Sequence, residues 1–175
     1  MTVFLGIDLG ASSLKACLLR VTKGAVERTA LVRASIKTHH LDTGHSEQEP
    51  ADWRQAMAEA LAQLNETHSA EMAQLQGIGF SGGAHIGVLC DAQAKPLRRA
   101  IMWDDQRAAE LAGPLAAAGE VEAITGNRPN ATWTLPQLLW LGRHEPEVLA
   151  KTERLYFAKD WPRAQLTGEF SSCAP

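Results

Sequence analysis

The stretch Phe4–Lys15, FLGIDLGASSLK, constrains the fold of this chain more than any other. Val3, Phe4, Leu5 and Ile7 make one short apolar run, and Leu14, Ala16, Cys17, Leu18 and Leu19 make another. Runs of this length, bounded by glycine and serine, read as buried strands joined by a tight turn. Gly10 permits a positive φ that most residues resist, so the turn is expected to use it. Such a turn presents backbone N–H groups and the Ser12 and Ser13 hydroxyls to an anion. Asp8, closing the first strand, faces the same space, where a carboxylate can hold Mg²⁺ directly or through water. Lys15 adds a positive charge nearby. These are the parts of a phosphate-binding hairpin, although an ordinary hairpin turn can also carry Asp and Gly. The spacing is not that of a Walker loop, and a single glycine followed by a strand is not a dinucleotide fingerprint.

With Asp8, Gly10, Ala11, Ser12 and Lys15 in place, the hairpin resembles the D-x-G-[TA]-[ST]-x-x-[KR] signature of the actin-like ATPase and sugar-kinase superfamily. Ala11 stands where threonine is commonest. The resemblance implies ATP and Mg²⁺ as cofactors, with Asp8 as the catalytic, metal-holding carboxylate. Gly10, Ser12, Ser13 and Lys15 would border the phosphates.

Bulk composition narrows the class. The chain has 175 residues, 45% hydrophobic and 21% charged, which suits one ordinary soluble globular domain with a real core. A formal net charge of −3 gives no reason to expect nucleic acid or an anionic membrane as partner. No apolar run approaches the roughly 20 residues that span a bilayer. The start of the chain carries no basic leader, so a cytoplasmic protein is expected. Cys17, Cys90 and Cys173 are odd in number and far apart, and the first two fall in apolar strands. Free thiols in a reducing compartment fit them better than a disulfide frame. His39-His40 reads as a solvated pair.

Along the chain, Lys23-Gly24 marks a turn before a third strand over Ala30–Lys37. His39–Pro50 is polar and reads as an exposed loop. Pro50 opens a helix in which Trp53, Met57, Ala60, Leu61 and Leu64 recur at helical spacing, running to about Thr67. QGIGFS, HIGVLCD and Ala100–Trp103 are short strands. A helix is expected from Asp104 or Asp105 to Ala118, broken at Gly113-Pro114. After Glu120–Gly126 and a loop over Asn127–Trp133, further helices are expected from a Thr134 cap, from Pro146 to about Arg154, and from Asp160 to Leu166, with Tyr156 and Phe157 leading a strand. Three strands, a helix, strands and more helices indicate a mixed α/β layer fold.

Four further segments extend the resemblance. GHSEQEPADW is similar to the G-W-S-E-Q-D-P-E-D-W stretch of xylulokinases and related members of the FGGY carbohydrate kinase family, with His45 in place of tryptophan. GFSGGAHIGVLCDAQAKPL is similar to a family segment whose Met-His pair contacts the sugar, which falls on Ala84 and His85. A histidine here can also be merely structural, but it can donate to and accept from a polyol. Gly83, Ala84 and Ile86 depart from the family pattern. AIMWDDQR resembles W-[NQ]-D-x-R. Trp103 offers an apolar face to sugar C–H groups and Asp105 can accept from hydroxyls, or cap a helix. Ile124–Phe170 resembles the rest of the pattern, with Gln137 replacing lysine and Trp161 replacing tyrosine.

The resemblance implies a ribonuclease-H-like, actin-like ATPase N-terminal domain, incomplete over 1–175, belonging to a kinase that phosphorylates a pentulose such as xylulose. Such kinases are longer and have two domains, with a general-base aspartate downstream of Pro175. The chain alone is therefore expected to be inactive, to leave apolar surface uncovered and to self-associate into a homo-oligomer. An actin- or chaperone-like ATPase shares the hairpin but not the Trp103–Arg107 segment. A non-catalytic remnant is the third possibility.

Overall fold

Alternation of buried and open positions shapes the first sheet. In the computed structural model, which describes residues 1–41 and 44–172, β1 (Thr2–Leu9) and β2 (Ser13–Thr22) pair antiparallel. A two-residue turn at Lys23 and Gly24, with φ of 49° and 84°, leads into β3 (Ala25–Ser35). Positive φ at both central residues matches the right-handed strand twist, as hairpins of this length require. The third strand is thus longer at its start than the apolar run suggested, because Ala25–Arg28 is held by pairing and not by burial.

After β3 come the short strands β4 (His39–His40) and β5 (Ser46–Gln48), then α1 (Pro50–Thr67) and the single-turn α2 (Ser69–Met72). The chain returns in β6 (Leu75–Gly82), parallel to β1, giving the order β3-β2-β1-β6. A parallel return needs a crossover, which α1 supplies. One face of the sheet buries Val3, Leu5, Ile7 and Leu9 of β1, Leu14, Ala16 and Leu18 of β2, and Val32 and Ala34 of β3. Helix α1 buries Trp53, Ala56, Met57, Ala60 and Leu64, one stripe at helical spacing.

The rest comprises β7 (Gly87–Cys90), β8 (Ala100–Ile101), α3 (Ala109–Ala118), α4 (Glu120–Thr125), α5 (Thr134–His144), α6 (Pro146–Lys151), β9 (Arg154–Phe157) and α7 (Asp160–Thr167). The chain divides into two compact units. The first takes Met1–Lys37, Ala51–Gly83 and Lys159 onward, and the second takes Thr38–Pro50 and Ala84–Ala158. In the first, Trp161 of α7 meets Trp53 edge-on, with ring centroids 6.4 Å apart. In the second, Leu89, Ile101 and Leu141 form a buried cluster onto which Leu138, Trp140, Val148, Leu149 and Leu155 pack.

Several local expectations are corrected. Gly10 does not adopt a positive φ. Helix α3 starts at Ala109, not at Asp104 or Asp105, and runs through Pro114 without a break. Thr134 is the first helical residue and Trp133 the cap position. Helix α6 ends at Lys151, since Arg154 pairs with Cys90 in the β7–β9 ladder. The segment expected as an exposed loop contains Ser46, Glu47 and Gln48, all buried. Neither Cys17 nor Cys90 is in a disulfide, and Cys173 lies outside the described residues.

Candidate functional site

Strand register builds the first unit's site. Asp8 is paired with Lys15 across β1–β2 and with Ser81 across β1–β6, and Lys15 with Arg33 across β2–β3. Residues in register share a face, so Arg33, Lys15, Asp8 and Ser81 form one polar row across all four strands, opposite the buried face. Lys15 Nζ lies 3.3 Å from Asp8 Oδ2, both side chains being partly open to solvent. An open groove of about 380 Å³ runs along this face, lined by Asp8, Lys15, Ser81, Cys17, Phe80 and Arg28 among others.

The turn that closes the row is pinned from both sides. Gly10 N–H donates to Ser13 O at 3.1 Å and Ile36 N–H donates to Ser12 O at 3.0 Å. The Gly10 N–H is therefore spent inside the hairpin and does not face an anion, contrary to the sequence reading. What glycine supplies here is space. A Cβ at position 10 would lie 3.2 Å from Ser13 O and 3.9 Å from both Asp8 Oδ2 and Lys15 Nζ. The Ser12 side is exposed and Ser13 half-buried. A half-open carboxylate beside an ammonium, with a cradle that a single methyl would fill, suits a phosphate-bound divalent cation. Ser81 was missed as a member of this row, because only pairing with β1 brings it beside Asp8.

The second unit carries the other group of expected residues. Ala84 and His85 are exposed in the connection before β7, and His85 has φ 62°. The His85 ring stacks on Trp133, centroids 5.0 Å apart and planes 14° from parallel. Trp103 follows β8 and is 55% exposed, a large apolar face open to solvent. Asp105 does not join it. Its residue exposure is 1%, and its carboxylate is already occupied. Arg107 donates from Nε to Oδ1 at 2.9 Å and from Nη2 to Oδ2 at 2.8 Å, while Ser46 N–H reaches Oδ2 at 2.6 Å. Asp105 is thus enclosed, its carboxylate held by Arg107 and the Ser46 N–H, whereas Trp103 is open to solvent.

Burial alone would push the Asp105 carboxyl up. The hydrogen bonds from Arg107 and Ser46 and the Arg107 charge outweigh that and hold it below the usual carboxylate range. Burial likewise disfavours the Arg107 cation, but its bonds and charge contacts with Asp105 and Glu47 raise it above the ordinary arginine value. Glu47 accepts from Arg107 Nη2 at 2.9 Å and from Arg98 Nη2 at 2.7 Å, and Arg98 Nε donates to Glu145 at 2.9 Å. This network is what allows Ser46–Gln48 to be buried. Arg107 also lies 5.0 Å above the Trp140 ring, which stacks on His144 and meets His45 edge-on. Sequence reasoning missed Trp133 and Gln137 as neighbours of this region. An aromatic directly before a helix start was the available signal for the first.

Comparison with known proteins adds the following. Residues 3–173 match the model of the FGGY family of carbohydrate kinases, N-terminal domain. The chain is 36% identical to the xylulose kinase of Escherichia coli K12 over 174 residues, covering 97% of this chain and 34% of that protein. It is 34% identical to the xylulose kinase of Bacillus subtilis 168 over 180 residues, covering 99% of this chain and 36% of that protein. A crystal structure of a xyloylose kinase from Brucella ovis superposes with TM-score 0.91 at 34% identity, over 96% of this chain and 35% of that one. The chain therefore spans about a third of the length of the relatives it matches. The mixed α/β fold expected from the sequence is the one these kinases have in this portion.

Proposed function

Because this chain belongs to the FGGY family of carbohydrate kinases, we propose that it is the N-terminal portion of an ATP-dependent kinase that phosphorylates a pentulose such as xylulose. The observation that carries the reading is the in-register row of Lys15, Asp8 and Ser81 beside the pinned Gly10 turn. In this reading Asp8 holds Mg²⁺, directly or through water, and Lys15 faces the same phosphates. The Ser12 and Ser13 hydroxyls, at the tip of the hairpin, add hydrogen bonds to phosphate oxygens. Bound Mg²⁺ would neutralise charge on those oxygens during transfer. Gly10 keeps the approach to Asp8 and Lys15 open. In the second unit, His85 would bond sugar hydroxyls, Ala84 would leave room beside it, and Trp103 would pack against the sugar's C–H face. Asp105 acts there through Arg107 and Ser46 and not by touching the sugar.

Phosphoryl transfer is mostly positioning and charge stabilisation, and transfer is ascribed to the protein that carries this portion. No helix among the described residues is long and apolar enough to cross a membrane, and a cytoplasmic setting fits a metabolic kinase. Self-association belongs to the same reading, since Phe4, Val26, Leu31 and Ile78 of the first sheet are exposed. The test is a chimera joining this chain to the downstream part of the Escherichia coli relative. ATP-dependent ADP release with D-xylulose is expected, and Asp8→Ala should cut turnover far more than sugar affinity. No ADP release across a panel of ketoses and polyols would overturn the proposal.

A further inference from the structure

Three non-glycine residues have positive φ among those described: Lys23, His85 and Ala94. Lys23 sits in a two-residue hairpin, and Ala94 in a turn closed by its N–H to Asp91 O at 3.0 Å. His85 also sits in a turn, at Ala84–His85, but there side chains from a segment far along the chain make further contacts with it. Thr134 Oγ1 donates to His85 O at 3.0 Å, and Trp133 covers one face of the imidazole.

The neighbouring residues secure this arrangement. A Cβ on Gly87 would lie 3.2 Å from Thr134 Cγ2 and 3.1 Å from Leu155 Cδ1, so the bare glycine lets Thr134 approach. Asn130 Oδ1 accepts from Thr132 N–H at 3.0 Å and Thr132 Oγ1 at 2.7 Å, stiffening the turn that leads to Trp133. Buried Gln137 donates to Thr132 O at 3.3 Å. An exposed ring on a costly backbone conformation, braced this thoroughly, is built for a fixed direction.

We propose that Trp133 and Thr134 are positioning residues that fix the His85 imidazole and thereby set which polyol hydroxyls it can bond. The proposal rests on the assignment of His85 to the sugar. Stacking fixes the ring plane, so both ring nitrogens project from its rim in set directions. Thr134 fixes the backbone from which the ring extends. With both in place, little ordering of His85 remains to be done when a sugar arrives.

The experiment has two arms on the 175-residue chain. Proton NMR first reads the His85 ring signals, assigned by their loss in His85→Gln. Trp133 should displace them upfield by its ring current. Trp133→Ala should return them toward free-histidine positions and Trp133→Phe should keep most of the displacement. Calorimetry with D-xylulose then reads affinity. Trp133→Ala and Thr134→Val are expected to weaken binding about 3–10-fold, as loss of one pre-ordered side chain would, with Thr134→Ser restoring it. Unmoved His85 signals in Trp133→Ala overturn the proposal. So does unchanged affinity in both variants when His85→Ala abolishes binding. No binding by the unsubstituted chain, or full binding by His85→Ala, overturns the sugar assignment instead, and the ring signals still decide the stack.

Discussion

Asp105 and Arg107, two residues apart, form a doubly hydrogen-bonded ion pair whose side chains are 0% and 2% exposed. A buried pair of this kind adds little over an apolar substitute, but removing one partner strands the other charge. Asp105→Ala leaves Arg107 with Glu47 alone and leaves Ser46 N–H without its acceptor. We expect a loss of about 3–5 kcal/mol, read as a lower urea midpoint. A loss below about 1 kcal/mol would show that water or Glu47 replaces Asp105.

The same carboxylate sets an acid dependence. Its folded pKa is held below its unfolded value, which is about 3.9. The stability it contributes is therefore fully present above the unfolded value and is lost as pH falls through the lower folded value. Arg107 stays protonated throughout, its own pKa being raised. Urea midpoints measured from neutral pH to about pH 2.5 should fall steeply at the acid end, and Asp105→Asn should flatten that limb. An identical acid limb in the variant would assign it to other carboxylates.

Local patterns made much of the fold legible. The β1–β2 hairpin follows from apolar runs around Gly10–Ser13, the next turn from Lys23-Gly24, and α1 from the Trp53-to-Leu64 stripe. Asp8 and Lys15 were also legible as neighbours, because a tight hairpin fixes their register. What escaped depends on distant partners. Ser46–Gln48 reads as solvated until Arg98, Asp105 and Arg107 are placed around it. Asp105 looks like a helix cap because such residues usually bind a nearby N–H. It does accept from Arg107 N–H at 2.9 Å, yet this closes a turn and the helix starts later. Thr134 looks like a cap for its own helix, whereas its hydroxyl serves His85, 49 residues earlier.

Lys15 and Asp8 separate stability from binding. Their 3.3 Å pair is 37% and 44% exposed, so solvent screens it and its contribution is expected to be below about 1 kcal/mol. Lys15→Met keeps the aliphatic stem and should leave the urea midpoint nearly unchanged. In the chimera it should weaken Mg²⁺-ATP binding about tenfold, the effect of losing one charge-assisted hydrogen bond. Calorimetry showing undiminished ATP affinity would remove Lys15 from the phosphate site.

Gly10 offers the sharpest steric test. Its φ is one that alanine can adopt, so backbone strain does not argue against substitution. The obstacle is the added methyl, 3.2 Å from Ser13 O. That oxygen cannot retreat cheaply, because it accepts from Gly10 N–H, and the next carbonyl back, Ser12 O, is held by Ile36 N–H. The methyl would also stand 3.9 Å from Asp8 Oδ2 and Lys15 Nζ, filling the cradle between them. Gly10→Ala should therefore cost about 1–3 kcal/mol, the usual effect of overpacking, and weaken Mg²⁺-ATP binding in the chimera beyond what Lys15→Met does. Gly142→Ala is the matched control. It lies inside α5 with Leu149 Cδ1 3.5 Å from its added Cβ, an ordinary contact, and alanine in a helix interior should stabilise by about 0.5–1 kcal/mol. Urea midpoints moving in opposite directions would confirm that space, not conformation, selects glycine at position 10. A stabilised Gly10→Ala that still binds ATP would mean that the hairpin carries no crowded phosphate cradle.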